Sequence, residues 1–278
     1  MIWLQRADDA KDVHNVATTV SSMRQAAGEV SLGRQARLRV QVDLGNRKMT
    51  REQLWYSGGY VRWDAELRDY VADYEPKVLI YALRHGSTHL NEDNKFRGWV
   101  DVPLDENGKT EAAEAGAFLV GRHISAIYCS DLMRAYGTAE IVGDVLKLDA
   151  REDKALRSWD IGYLSGMDKV KDAAVLEHFV DNPDEQISGG ESLTSFCDRM
   201  QGTFDKYFKI ARATGPIMLV FHTSNVIQLQ NYCKGDMSGR PESDETVLPG
   251  GVLSVTDVGG RLVSEAILKD GGKSQFGS

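Results

Sequence analysis

Cysteine is scarce in this chain: there are three, at positions 129, 197 and 233. They are far apart, odd in number and never paired as CxxC, which argues against a disulfide framework or a thiolate zinc site and for free thiols in a reducing compartment. Long apolar runs are missing too. No stretch is long enough to span a bilayer, and the first ten residues hold one arginine and two aspartates, so no signal peptide is legible. A surplus of positive charge is also lacking. Thirty-three Lys and Arg stand against 41 Asp and Glu, a formal net charge of -8, which disfavours nucleic acid or an anionic membrane as partner. The six histidines and three cysteines do not cluster at metal-ligand spacings. Ser57-Gly58-Gly59 and Gly250-Gly251 lack the lysine of a P-loop and the order of a dinucleotide fingerprint. Neither a metal nor a cofactor is expected. What is present, 42% hydrophobic and 27% charged residues, suits a soluble globular protein, and a cytoplasmic location is the expectation.

The first 75 residues read differently from the rest. Val13, Val16, Ala17, Val20, Met23 and Ala27 recur at helical spacing, which predicts an amphipathic helix over about 7–27. Ala36, Leu38, Val40, Val42 and Leu44 alternate with polar residues in the period of a strand, and Gly45-Asn46 and Gly58-Gly59 read as turns. An extension over 1–75, one helix plus a small antiparallel meander, is therefore expected. From Arg24 to Arg51 there are seven basic residues and two acids, either the solvated face of a sheet or a docking surface for an acidic partner. The extension's apolar stripe needs a surface to cover it, on the same chain, a second copy or another partner.

From about Lys77 apolar runs alternate with helical stretches. Val78–Leu83, Ile124–Cys129 and Ile217–Phe221 read as buried parallel strands. Lys109–Gly121, Asp131–Leu146, Asp168–Val180 and Ser192–Ala213 read as helices, and Val252–Thr256 with Leu262–Leu268 as a closing hairpin. The pattern predicts an α/β fold, a helix-flanked and mostly parallel sheet in a three-layer sandwich, over 76–270, followed by a tail over 271–278.

Ligands of open α/β sheets sit beyond the carboxyl ends of the strands. Arg84-His85-Gly86 follows the first strand, Ser130-Asp131-Leu132-Met133-Arg134 the second, and His222 the third. Two arginines and two histidines thus converge on one sheet edge. Guanidinium groups make bidentate, charge-assisted hydrogen bonds to phosphate oxygens. A neutral imidazole can attack phosphorus and split one hard step into two. Gly86 would let the backbone approach a ligand closely, and His222 could donate to the same oxygens if protonated.

Leu83-Arg84-His85-Gly86-Ser87-Thr88, Asn91, Arg97-Gly98-Trp99, Asp101 and Pro103-Leu104 resemble the opening signature of the histidine phosphatase superfamily, in its phosphoglycerate mutase-like branch. Ser130–Ala135 with Thr138-Ala139, Gly189–Leu193 with Arg199, and Phe221-His222-Thr223 resemble its later blocks, in order. The resemblance implies that His85 is the nucleophile and that Arg84, Arg134 and His222 form the phosphate pocket. It also places Asn91 at a phosphate contact, with Arg97 and Thr223 beside the substrate. The sequence departs from the family at the proton donor: Ser158 stands where many members carry Glu. Asp160, two residues on and on the same side of an extended segment, is the leading candidate acid. It reads equally as a loop-turning Asp. Glu191 is a further candidate, though its setting reads first as a helix N-terminus. The implied activity is hydrolysis of a small phosphorylated substrate or phosphopeptide through a phosphohistidine. The alternatives are mutase-like phosphotransfer and a slow or inactive phospho-ligand binding module.

Overall fold

The computed structural model describes residues 38–42, 59–64, 69–74, 77–236, 247–258 and 260–268. The helix expected over 7–27 and the tail over 271–278 lie outside the described residues.

Strands β1 (Leu38–Val42), β2 (Gly59–Asp64) and β3 (Asp69–Tyr74) form a three-stranded sheet in the order β1-β3-β2. β3 is antiparallel to both neighbours, with Ala72 opposite Val40 on one side and Val61 on the other. The antiparallel sheet thus appears, but not as a meander, because the third strand is central. Sequence alone passed over β3, since Asp69-Tyr70-Val71-Ala72-Asp73-Tyr74 carries two aspartates in six residues and aspartate is depleted in strands.

The larger sheet has six strands in the order β6-β5-β7-β4-β8-β9. They are β4 (Lys77–Arg84), β5 (Ala126–Cys129), β6 (Ala150–Glu152), β7 (Ile217–Phe221), β8 (Val252–Val258) and β9 (Arg261–Leu268). β4, β5 and β6 run parallel to their neighbours through β7 and β5, with Ile217 facing both Ile80 and Ala126. The N–H of Arg84 donates to Gly251 O at 3.1 Å, and that of Gly250 to Arg84 O at 3.1 Å. The start of β8 therefore lies beside the end of β4, which makes the sheet mixed.

Parallel neighbours need crossovers, and helices supply them on both faces. Helix α2 (Glu106–Leu119) packs with α3 (Met133–Leu146), and their Ala115, Leu119, Ala139 and Val142 meet Tyr81, Leu83, Met218 and Val220 of the sheet. The opposite face carries α5 (Leu193–Thr214) and α6 (Thr223–Lys234). Tyr128 points there and meets Tyr207 at 4.8 Å between ring centroids. Two shorter helices, α1 (His89–Glu92) and α4 (Ala173–Asp181), lie in the connections. The helix expected over 168–180 starts only at Ala173, because Asp168 closes a turn by accepting the N–H groups of Val170 and Lys171 at 3.0 Å each. None of the helices among the described residues is long and apolar enough to cross a membrane.

Candidate active site

Strand ends position the site. Arg84 is the last residue of β4, and the next N–H, that of His85, donates to Phe221 O at the end of β7 at 3.0 Å. On the other flank of β7, Ser130 N donates to Val220 O at 3.0 Å. His222 is the N-cap of α6, and Arg134 lies in the first turn of α3. Arg84, His85, Arg97, Arg134, His222 and Thr223 all line one cavity of about 360 Å³.

Both histidines are buried and their rings lie edge to face, 5.2 Å between centroids. His85 Nδ1 sits 2.7 Å from Gly86 O. A carbonyl oxygen only accepts, so Nδ1 carries the hydrogen, and in the neutral ring Nε2 keeps its lone pair. Burial, then the charges of Arg134, Arg97, His222 and Arg84, hold the His85 pKa well below the usual 6.5. His222 is pushed in the same direction by burial and by Arg134, Arg97, Arg199 and Arg84. Its Nε2 pairs with Ser130 Oγ at 3.0 Å, while Nδ1 is buried without a hydrogen-bond partner.

The arginines repel one another. Burial and Arg97 lower Arg134 to about 9, with Asp101 opposing, and Arg84 to about 10, with Glu111 opposing. Arg134 donates to Val100 O at 2.8 Å and Gly98 O at 2.9 Å, Arg84 to Val247 O at 3.0 Å, and each leaves a buried Nε without a partner. Three guanidiniums and two imidazoles around one cavity are a donor set chemically suited to a multiply charged anion.

The remaining residues read from sequence take different places. Arg97 joins the cavity, held by Asn91 Oδ1 at 2.6 Å. Asn91 Oδ1 also accepts from the backbone and hydroxyl of Thr88, both at 3.0 Å, so its oxygen is shared between Thr88 and Arg97. Gly86 is constrained by packing: a Cβ there would stand 2.3 Å from Gly108 O, so the close approach is to the chain's own backbone. Asp160 is not part of the cavity lining. Its Oδ1 accepts the Gly162 N–H at 3.1 Å, the turn-forming alternative. Glu191 is tied to Arg199 in an ion pair. Ser158 does line the cavity, and its hydroxyl donates to Gly98 O at 2.9 Å.

Sequence reasoning gave several contributors no role of their own, although Ser130, Thr138 and Arg199 stood in the quoted blocks. Ser130, the partner of His222, stood in the strand-end block and was legible there as a polar residue at the right edge. Thr138, which accepts the Gly86 N–H at 3.0 Å, needed the α3 register to be found. Lys169, a further cation in the lining, fell at the start of the expected 168–180 helix and lies in the turn before Ala173. Arg199 pins the loop below the site by donating to Ala155 O at 3.0 Å, Arg157 O at 2.9 Å and Ser158 O at 3.1 Å.

Residues 80–236 match the sequence profile described as "Histidine phosphatase superfamily (branch 1)". Among curated relatives, the probable phosphoglycerate mutase GpmB of Proteus mirabilis is 28% identical over 147 residues, which cover 51% of this chain and 68% of that protein. Among solved structures, a mycobacterial glucosyl-3-phosphoglycerate phosphatase in complex with VO3 superposes with a TM-score of 0.59 at 23% identity, covering 68% of this chain and 97% of the other. A putative alpha-ribazole-5'-P phosphatase from Escherichia coli reaches the same TM-score of 0.59 at 20% identity, over 68% of this chain and 95% of the other. At these identities the structural likeness speaks for the fold.

Proposed function

The chain belongs to the histidine phosphatase superfamily, whose chemistry is phosphotransfer and phosphoester hydrolysis, and from that premise we propose that it hydrolyses small phosphomonoesters through a phosphohistidine on His85. The observation that carries the reading is the bond from His85 Nδ1 to Gly86 O, which leaves Nε2 as a nucleophile on a ring that lines a cationic cavity. In the first step the Nε2–P bond forms and the bond from phosphorus to the ester oxygen breaks. The departing oxygen takes a proton from water, none of the described lining residues being a carboxylic acid. In the second step a water oxygen bonds to phosphorus, the Nε2–P bond breaks, and inorganic phosphate leaves. Arg84, Arg97 and Arg134 offset the charge on the transferring group, which is where most of the catalysis of such a step resides. His222 joins them as a donor: burial and then the arginine charges depress its pKa, and a bound dianion offsets the second of these.

Relatives named as probable phosphoglycerate mutases support a second reading, in which a phosphorylated sugar acid replaces water as the acceptor. Incubation with a labelled phosphomonoester and acid-free quenching tests the proposal. Acid-labile, base-stable label should appear at His85 in the wild type and be absent from His85→Ala, with inorganic phosphate as the product. Undiminished turnover in His85→Ala would end the covalent reading. Transfer of label to a phosphoglycerate in preference to water would favour the mutase.

A further inference from the structure

The cavity that His85 lines is built from two unlike sets of side chains. One is the histidines, the arginines and Lys169. The rest of the wall is built largely from Phe96, Trp159, Ile161, Leu176, Val180 and Phe196. The Trp159 and Phe196 rings stack, with centroids 6.3 Å apart and planes at 19°. Of the helix α4, only Phe179 is buried in the fold. Leu176 and Val180, one turn apart, bring half-buried apolar side chains to the cavity.

The polar groups on this wall are already engaged in part. Ser158 Oγ donates to Gly98 O at 2.9 Å, and Ser224 Oγ accepts the backbone N–H of Trp159 at 3.3 Å. Thr223, Ser224, Gln228 and Lys169 also line the cavity, but a sugar or polyol lodged against the aromatic and aliphatic side chains would lose water from its hydroxyls there, which opposes binding. An apolar group gains from the same transfer.

We infer that the ester taken by this site carries an apolar body, aryl or branched alkyl, seated against the Phe96, Trp159 and Phe196 wall and covered by Leu176 and Val180 of α4. This deepens the phosphomonoesterase reading and rests on it. The phosphate group fixes the position of the ester oxygen at the cationic side chains, and the apolar wall selects what is attached to it.

The test uses pairs of substrates whose leaving groups have nearly the same acidity and differ in apolar size: 1-naphthyl against phenyl phosphate, and hexyl against ethyl phosphate. One buried methylene is worth about fourfold, so kcat/KM should favour the larger member of each pair by about tenfold or more. In a Leu176→Asn, Val180→Asn double variant both ratios should fall toward one, with vanadate binding as the control for an intact anion site. Ratios near one in the wild type would overturn the inference while leaving the phosphatase reading in place. So would wild-type ratios kept in a double variant that still binds vanadate. If the double variant loses vanadate binding, the wild-type ratios decide. If no ester is turned over and no phosphoenzyme forms, the phosphatase reading fails. The apolar preference is then read separately, as displacement of vanadate by naphthyl- against phenylphosphonate, and equal displacement would overturn it.

Discussion

The hydroxyl of Ser158 is bound to the carbonyl oxygen of Gly98 at 2.9 Å, at the wall of the cavity that His85 also lines. The carboxylates nearest to it in sequence and in the block structure are committed elsewhere, Asp160 to the Gly162 N–H and Glu191 to Arg199. Among the described residues, none of those lining the cavity is an aspartate or glutamate.

With no carboxylic acid among the described lining residues to protonate a departing alkoxide, rates should depend steeply on leaving-group acidity. Aryl phosphates should be turned over far faster than alkyl phosphates. A positioned general acid contributes roughly 10²–10⁴-fold, so Ser158→Glu should raise alkyl phosphate turnover by about tenfold or more and aryl turnover much less. Asp160→Asn should shift both classes alike, since an Asn oxygen can also accept the Gly162 N–H. Steady-state rates on a matched alkyl and aryl pair check both statements, and a selective loss of alkyl turnover in Asp160→Asn would restore Asp160 as the donor.

Arg134 is asked to do two things at once. Two of its nitrogens hold Val100 O and Gly98 O, and its Nε is buried without a partner. Arg134→Lys keeps a charge but loses the planar fork. Vanadate affinity should fall by about tenfold or more, the equivalent of one charge-assisted hydrogen bond of about 1.5–3 kcal/mol. Isothermal titration reads the affinity, and an unchanged value would remove the α3 residue from the anion site.

The paired histidines make stability pH-dependent. Both are held well below the ordinary 6.5, first by burial and then by Arg134 and Arg97. As pH falls through about 6.5 the unfolded chain binds protons that the folded chain refuses, so stability is complete above that pH and declines below it. The slope should approach about 1.4 kcal/mol per pH unit for each histidine. Asp131 and Asp153 are shifted below 3.8, so their stabilisation is lost only at lower pH. Phosphate or vanadate should flatten the slope by offsetting the arginine charges. Urea unfolding from pH 7.5 to about 5, with and without phosphate, measures this, and a flat profile in the unliganded protein would contradict it.

Gly86→Ala should destabilise the fold before it touches the chemistry. The added Cβ would meet Gly108 O at 2.3 Å, a backbone atom that cannot swing aside. Overpacking of this kind costs about 1–3 kcal/mol. Equilibrium unfolding should show the loss. A variant of wild-type stability with weakened phosphate binding would mean that the glycine serves the ligand instead.

The strand ends were legible because fully buried parallel strands are continuous apolar runs, and Arg84, His85 and His222 stand at their limits. Helix α6 was not, because Asn225, Gln228 and Asn231 are buried polar residues on it and blur the apolar stripe that marks a helix. The strand β6 is three residues long, too short for any alternation to show. The fate of Asp160 depended on which neighbour its carboxylate met, and spacing along an extended segment says nothing about a turn closed by the next glycine's N–H. The crowding at Gly86 was hidden for a related reason: the residue that meets it, Gly108, comes from the first turn of α2.

Strand β7 lies between β4 and β5 and pairs with both. On the ribosome, the segments that carry Arg84, His85 and Arg134 emerge long before Ile217–Phe221, which must slot between them. Until then β4 and β5 have no shared neighbour and present unpaired apolar edges, the exposure that favours aggregation of incomplete α/β chains. The anion site is thus assembled by a late insertion that closes two long loops at once, a slow step by topology, and a nascent chain halted ahead of Ile217 would hold most of the site's residues without the strand that brings them together.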